Sequence, residues 1–408
     1  MSAVAEYLTD SRPRFRQPSA ADLCTAVPCM TTDETNEKVM EMFNRHRDLV
    51  SLPVVEGRRP IGLINRSIFL SQMSKQFRME LYGRKSCIAF MDKEPLVVDA
   101  AMDIDTLTFK TVEHGEKALS DGFIITQGGV FLGVGNGLQL MRVVADMQAS
   151  RNRQIMHSIE YASVIQQSTL RSSREALARV CPAADLVWEP RDVVGGDFYH
   201  FAQHEDGWFG AIADCTGHGV PGAFMTLIAS ASLTQALQQL GPRDPSALLA
   251  AINGSVKAML GQSGGISESN DGLDLACFWV DSRSHSLTYA GARMPLYLLA
   301  PDAAEVLTLA PLRLGIGYAD SPLEQCWPAT TLPLQPGSLL FATTDGLIDQ
   351  IGGPRRTSYG KRRALARLTE SRTAPTAVFC EQLSADLARW QGDELRRDDL
   401  TFLCIRVA

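Results

Sequence analysis

The sequence predicts an α+β protein whose largest part is a C-terminal α-β-β-α four-layer sandwich with antiparallel sheets. Three observations carry this. Past residue 181, short apolar or alternating runs come in the order strands, two helices, strands, two helices, one strand. Helices there do not alternate singly with strands, which argues against a parallel, doubly wound sheet. Ahead of that half, a strand-turn-strand-helix pattern occurs twice, and residues 141–180 contain neither proline nor glycine.

A chain of 408 residues exceeds one ordinary core and predicts two or three domains. Hydrophobic content of 45% and charged content of 21% fit folded protein rather than disorder. The net charge of -7, with no basic cluster beyond short groups such as RNR and KRR, excludes a nucleic-acid binder. The 9 cysteines are scattered without a CxxC pair, which reads as reduced thiols rather than a disulfide framework or a zinc site. MSAVAEYLTDSRPRF lacks the apolar stretch of a signal peptide, and no run of about 18 apolar residues predicts a membrane span. A soluble, cytoplasmic protein is expected.

In the N-terminal half, SLPVVEGRRPIGLINRSIFL (51–70) matches DGFIITQGGVFLGVGNGLQL (121–140) in pattern. Laying Gly62 on Gly133 also lays Asn65 on Asn136. A helical segment precedes each copy, ETNEKVMEMFNRH and DIDTLTFKTVEHG, the first with Thr35 as a candidate cap. The arrangement over residues 1–145 resembles a pair of cystathionine-beta-synthase (CBS) repeats. That resemblance implies either a dimerisation module or a sensor of adenine nucleotide or another small ligand. GLINRS and GVGNGL stand where such repeats usually place the Thr and Asp that touch ribose and phosphate.

Residues 146–180 read as a helical linker. Ile155, Ile159, Ala162, Ile165 and Thr169 follow helical spacing, so one stripe is apolar but for Gln166 beside it. The stripe fits parallel pairing of two chains into a homodimer, or packing on the chain's own C-terminal domain; pairing is preferred here because a sensor needs a stiff coupling element. Pro182 ends the helix.

Within residues 181–408 the acidic side chains fall where apolar strands start or stop. Asp197 lies in VGGDF, Asp214 ends FGAIAD before CTGHG, Asp345 ends LLFATTDG, and Asp398 and Asp399 precede LTFLCIRV. One Asp at a strand end is commonly a turn or a cap. Several converging carboxylates repel one another, and magnesium or manganese would relieve that repulsion. Gly195 and Gly196 would let the chain pass close to a metal-bound water, and Gly217 and Gly219 suit a tight turn into a helix.

DVVGGDFYHF, ADCTGHGVPGAFMT, YAGARMPLYLL, LLFATTDGLIDQ, SYGKRR and DDLTFLCIRV occur in the order seen in one group of enzymes. They resemble bacterial metal-dependent serine/threonine protein phosphatases of the PPM family, in the sporulation and stress-response subgroup. The resemblance implies two Mn2+ or Mg2+ ions. Asp197 and Asp214 would serve the first, with Asp214 bridging, and Asp345 and Asp398 would complete the second. The carbonyl of Cys215 would contribute, while Asp399, where Asn is common, is expected behind the direct ligands. The family usually shows NAGH before PPL; here Arg293 takes the place of that His, which leaves the substrate contacts open.

The implied chemistry is phosphomonoester hydrolysis by metal-activated water, without a covalent intermediate. The implied substrate is a phosphorylated STAS protein, an anti-sigma-factor antagonist in a partner-switching pathway. His218 either donates a proton to the leaving oxygen or holds the TGHG turn, and Arg191 either reaches bound phosphate or is a surface cation. His200 and His204, flanking an expected turn, read as exposed. Three rivals stand beside this reading. A cyclic-dinucleotide synthase is disfavoured because Phe198 follows Asp197 directly. The others are a small-molecule phosphoesterase and a catalytically silent module that only binds partners.

Overall fold

The computed structural model describes residues 17–262 and 270–408. The segment read for a signal peptide, residues 1–15, lies outside them. The chain divides into two compact units, Met1–Gln154 and Ile155–Ala408.

The first unit is built twice. Strand β1 (Met30–Thr31), helix α1 (Asn36–Arg45), hairpin β2 (Ser51–Glu56) and β3 (Arg59–Asn65), and helix α2 (Arg66–Met73) form one copy. After the short helix α3 (Arg78–Tyr82) come β4 (Val97–Asp99), α4 (Ile104–His114), α5 (Glu116–Ser120), β5 (Phe123–Gln127), β6 (Val130–Gly135) and α6 (Gly137–Val180). In each copy the first strand runs parallel to the second, and the second pairs antiparallel with the third. Both hairpins carry a bulge just past the same glycine, Gly62 opposite Val54 and Gly133 opposite Ile125. The paired asparagines are helix caps: Asn65 accepts from the Ile68 amide at 2.9 Å and Asn136 from the Gln139 amide at 2.8 Å. Thr35 caps α1 as its sequence suggests.

Each sheet's outer edge is closed by chain from elsewhere in the unit. Asp92 exchanges backbone hydrogen bonds with Leu63 of β3 at 2.8 and 3.0 Å, and Thr25 does the same with Val134 of β6 at 2.9 and 3.0 Å. Separate apolar cores lie under the two copies, one around Phe43, Leu52 and Phe69, the other around Leu107, Phe123 and Ile125.

Helix α6 starts at Gly137 rather than near residue 146. Asn136 caps it, and a Cβ on Gly137 would lie 2.4 Å from the Leu119 carbonyl oxygen, so the glycine serves close packing rather than helix breaking. The buried face of its second half carries Ser163, Gln166, Leu170, Ser173, Ala176 and Leu177. Ile155, Met156, Val164 and Ile165 are exposed.

In the second unit, β7 (Ala184–Glu189), β8 (Asp197–His204) and β9 (Gly207–Cys215) lead to helices α7 (Gly219–Leu240) and α8 (Pro245–Met259). Then come β10 (Leu273–Asp281), β11 (Ser286–Ala292), β12 (Leu296–Leu299), β13 (Leu307–Leu309), β14 (Thr330–Pro333) and β15 (Leu339–Thr343). The chain closes with α9 (Asp345–Ile348), β16 (Ile351–Gly352), β17 (Thr357–Ser358), α10 (Lys361–Glu370), α11 (Thr376–Gln391) and β18 (Leu400–Arg406). Two five-stranded antiparallel sheets result, ordered β14-β11-β10-β9-β8 and β13-β12-β15-β18-β7.

Period-two alternation shows the layering. Leu340, Ala342, Leu403 and Ile405 join the core shared with the first sheet, α7 and α8, while Leu339, Phe341, Phe402 and Cys404 join the core under α10 and α11. By length and composition, one helix among the described residues, α7, is apolar enough to cross a membrane. It is a layer of the sandwich, with Met225, Ala229, Leu233 and Ala236 in the shared core.

Candidate metal and phosphoryl-transfer site

The site begins with strand register. Asp197 opens β8 and sits opposite Asp214, near the end of β9; Asp214 in turn sits opposite Asp274, near the start of β10. Residues directly opposite in antiparallel strands share a face, so three carboxylates stand in a row at one end of the first sheet. The second sheet brings the others: Asp345 follows β15, and Asp398 and Asp399 precede β18, its hydrogen-bonded neighbour.

Asp197 is buried, and its Oδ2 accepts from Thr344 Oγ1 at 2.8 Å and Thr401 Oγ1 at 2.6 Å, both from the second sheet. Burial raises its acid well above the usual carboxylate range, aided by Asp399 and Asp345 and opposed by the two threonines. Asp214 is raised likewise, first by burial and then by repulsion from Asp197, Asp345, Asp274 and Asp398. Asp345 is at the water-facing mouth, yet the protein packed around it, with Asp398 and Asp349, pushes its acid up to about 6. Asp274 is pushed up to about 7, by burial first and then by Asp345, against the pull of Arg293. Its Oδ1 is buried without a hydrogen-bond partner. Sequence reasoning missed Asp274; in LDLACFWVD it looks like any polar residue of an alternating strand, and only its register opposite Asp214 places it here.

Asp399 has a different task. Its Oδ1 accepts from the Arg191 amide and its Oδ2 from the Gly196 amide, each at 2.6 Å. Both oxygens thereby shape the loop that delivers Asp197. Asp398 Oδ1 accepts from the Asp399 amide at 2.9 Å.

The glycine pair is needed for the protein's own close packing. A Cβ on Gly196 would lie 2.4 Å from the Gly217 carbonyl oxygen and 2.9 Å from that of Cys215; one on Gly195 would lie 2.9 Å from Asp399. Gly217 and Gly219 have φ of 84° and 63°, the left-handed turn anticipated before α7. Gln166 of α6 holds Gly195 from the other side: Nε2 donates to its carbonyl at 2.7 Å, and its amide donates to Oε1 at 3.2 Å. The same Nε2 reaches Thr226 Oγ1 of α7 at 3.2 Å. The residue that interrupts the apolar stripe is thus the one that grips the loop before Asp197.

His218 caps α7 by position, with Nδ1 2.8 Å from Asp192 Oδ2 and its ring partly exposed. Arg191 is exposed and donates from Nη1 to the Arg397 carbonyl at 3.1 Å. His200 is half-buried within β8 beside Phe209 rather than at a turn, and His204 packs edge-on against Trp279. The Cys215 thiol is buried, its acid raised first by burial and then by Asp214 and Asp197.

Among the described residues, no three His, Cys, Asp or Glu side chains are already drawn into a single-ion ligand arrangement. The donor chemistry nevertheless fits hard divalent cations: gathered carboxylates, an unpartnered buried Asp274 oxygen and mutual repulsion that positive charge would remove.

The profile of the stage II sporulation protein E (SpoIIE) family matches residues 204–408. The chain belongs to the SpoIIE family. Among solved structures, the SiaA-PP2C domain of Pseudomonas aeruginosa is 35% identical, with a TM-score of 0.58, over 64% of this chain and 100% of that one. The PP2C phosphatase domain of SpoIIE from Bacillus subtilis, with a fragment of its regulatory domain, is 18% identical with a TM-score of 0.44, over 55% and 61% of the two chains. No curated protein matches. The C-terminal unit is a metal-dependent phosphatase domain of the PPM/PP2C type, and the protein is a serine/threonine phosphatase.

Proposed function

We propose that this SpoIIE-family phosphatase removes phosphate from phosphoserine or phosphothreonine of a STAS-type anti-sigma-factor antagonist in a partner-switching pathway. The observation that carries the catalytic part is the convergence of Asp197, Asp214, Asp274 and Asp345 at the same end of two sheets. Asp197, Asp214, Asp345 and Asp398 would hold two ions, with the Cys215 carbonyl contributing. When bound, manganese or magnesium supplies acidification of water and charge neutralisation at the phosphoryl oxygens.

The chain's own residues do the rest. Thr344 and Thr401 fix the Asp197 carboxylate, and Asp399 fixes the loop before it. Asp192 lies against the His218 ring, which supports His218 as the proton donor to the leaving oxygen.

For the N-terminal unit we propose a CBS-like pair that senses a small ligand such as an adenine nucleotide, or dimerises. The twice-built β-α-β-β-α order supports it. The exposed Ile155, Met156, Val164 and Ile165 of α6 support pairing of two chains in a cytoplasmic homodimer.

The deciding experiment measures aryl phosphate hydrolysis by the full chain with manganese, with magnesium and with chelator, beside Asp214→Asn. Manganese-dependent turnover that the variant loses is the expected result. Absence of both turnover and calorimetric metal binding would refute the catalytic reading. Deleting residues 1–145 is expected to change that turnover; unchanged turnover would make the first unit a passive tether.

A further inference from the structure

Arg293 follows β11 in a left-handed backbone conformation, φ 55°, which a long side chain adopts only when its surroundings impose it. Here the turn is tied from three sides. The Arg293 amide donates to the Leu312 carbonyl at 2.8 Å, the Met294 amide to Ala292 at 2.7 Å, and the buried Tyr289 hydroxyl to the Met294 carbonyl at 2.6 Å. The guanidinium lies over the Tyr318 ring, 4.5 Å from its centroid. Its Nη1 is 3.8 Å from Asp274 Oδ1 and its Nη2 is 3.8 Å from Asp320 Oδ2.

Those separations lie beyond hydrogen-bond length, so the fork of N–H donors is uncommitted toward both neighbouring acids. An arginine serving only to neutralise Asp274 would close on it to about 2.8 Å. Stacking on Tyr318 holds it away.

The platform is itself built with unusual polar investment. Tyr318 Oη accepts from Thr216 Oγ1 at 3.2 Å. Buried Lys257 of α8 donates to the Tyr318 carbonyl. Buried Asn253 accepts from the Gly317 amide at 2.9 Å and donates to the Pro322 carbonyl at 2.9 Å. Burying a lysine and an asparagine is unfavourable unless each is partnered, and both partners here are backbone of the segment carrying Tyr318. The outcome is a rigid, partly exposed cation beside Asp274, one strand from Asp214.

We propose that Arg293 binds the phosphoryl oxygens of the phosphomonoester, with Tyr318 as its fixed platform. This deepens the phosphatase reading and rests on it. A planar fork suits two phosphoryl oxygens at once, and stacking spares it the ordering that a lysine would undergo.

The test uses the full chain with manganese, p-nitrophenyl phosphate as substrate and inorganic phosphate as inhibitor. Arg293→Gly removes the guanidinium and suits the positive φ, so the turn keeps its shape; Arg293→Lys keeps the charge without the fork. Arg293→Gly should raise both the phosphate Ki and KM by roughly ten- to hundredfold. Manganese affinity, read by electron paramagnetic resonance, should move by a much smaller factor than Ki and KM, and Arg293→Lys should recover only part of the loss. An unchanged Ki in a wild-type background that hydrolyses overturns the role of Arg293 alone. So does a manganese affinity that shifts by the same factor as Ki, since Arg293 would then be only a counter-charge for Asp274. A wild type with neither manganese-dependent hydrolysis nor a phosphate-sensitive manganese spectrum overturns the phosphatase reading as well.

Discussion

Replacing Gln166 with leucine tests how the connecting helix grips the catalytic loop. The side chain is buried and partners both backbone groups of Gly195 as well as the Thr226 hydroxyl. Thr226 keeps a second bond, to the Ala223 carbonyl, so its hydroxyl is not orphaned. The Gly195 amide and carbonyl lose their side-chain partner inside the protein, at about 1–3 kcal/mol each. Burying leucine returns about 1–2 kcal/mol, and the middle of these ranges leaves a net loss of roughly 2–3 kcal/mol. The 5 tryptophans, at 188, 208, 279, 327 and 390, all lie in the second unit, so denaturant unfolding followed by their fluorescence reports that unit alone. Turnover should fall together with stability, because Gly195 adjoins the segment that delivers Asp197. A loss below about 0.5 kcal/mol would refute the reasoning, since surface substitutions away from structural contacts give that much.

Glycine substitutions should separate by surroundings. Gly196→Ala puts a methyl against two backbone oxygens at 2.4 and 2.9 Å, and a loss above about 2 kcal/mol with collapse of turnover is expected. Gly254→Ala meets nothing within 4 Å in the middle of α8 and should gain about 0.5–1 kcal/mol in the same assay. With chelator present, folded Asp274 and Asp345 hold protons that the unfolded chain has released above 3.8, so stability should fall as pH rises from about 4 to about 7. Unfolding midpoints that rise over that range would contradict the assignment. Manganese affinity should strengthen through about 6 to 7 as those protons leave, which calorimetry in buffers of different ionisation enthalpy would register.

Much of the architecture was legible because it rests on local chemistry. Aspartates closing apolar runs marked the strand ends, and Asn65 and Asn136 proved to be caps at matching places in two copies. What escaped depends on partners far along the chain. Asp274 needs the register of β9 against β10, and Thr344 and Thr401 matter only because one sheet lies over the other. Gln166 looked like a flaw in a stripe because periodicity grades polarity and cannot see a buried backbone group waiting for a partner. The start of the long helix at Gly137 was hidden for a similar reason: that glycine answers to the Leu119 carbonyl, which no window around residue 137 contains.

The straps that close the two N-terminal sheets set an order of events during synthesis. Asp92 reaches β3 soon after that strand has left the ribosome, so the first sheet can seal early. Thr25 is made long before its partner Val134, and its edge bonds wait until the last strand of the second copy emerges. The N-terminal unit therefore cannot be finished until translation has reached the start of α6. A stalled or truncated chain ending before residue 134 would expose the unmet Thr25 edge to chaperones or to another nascent chain.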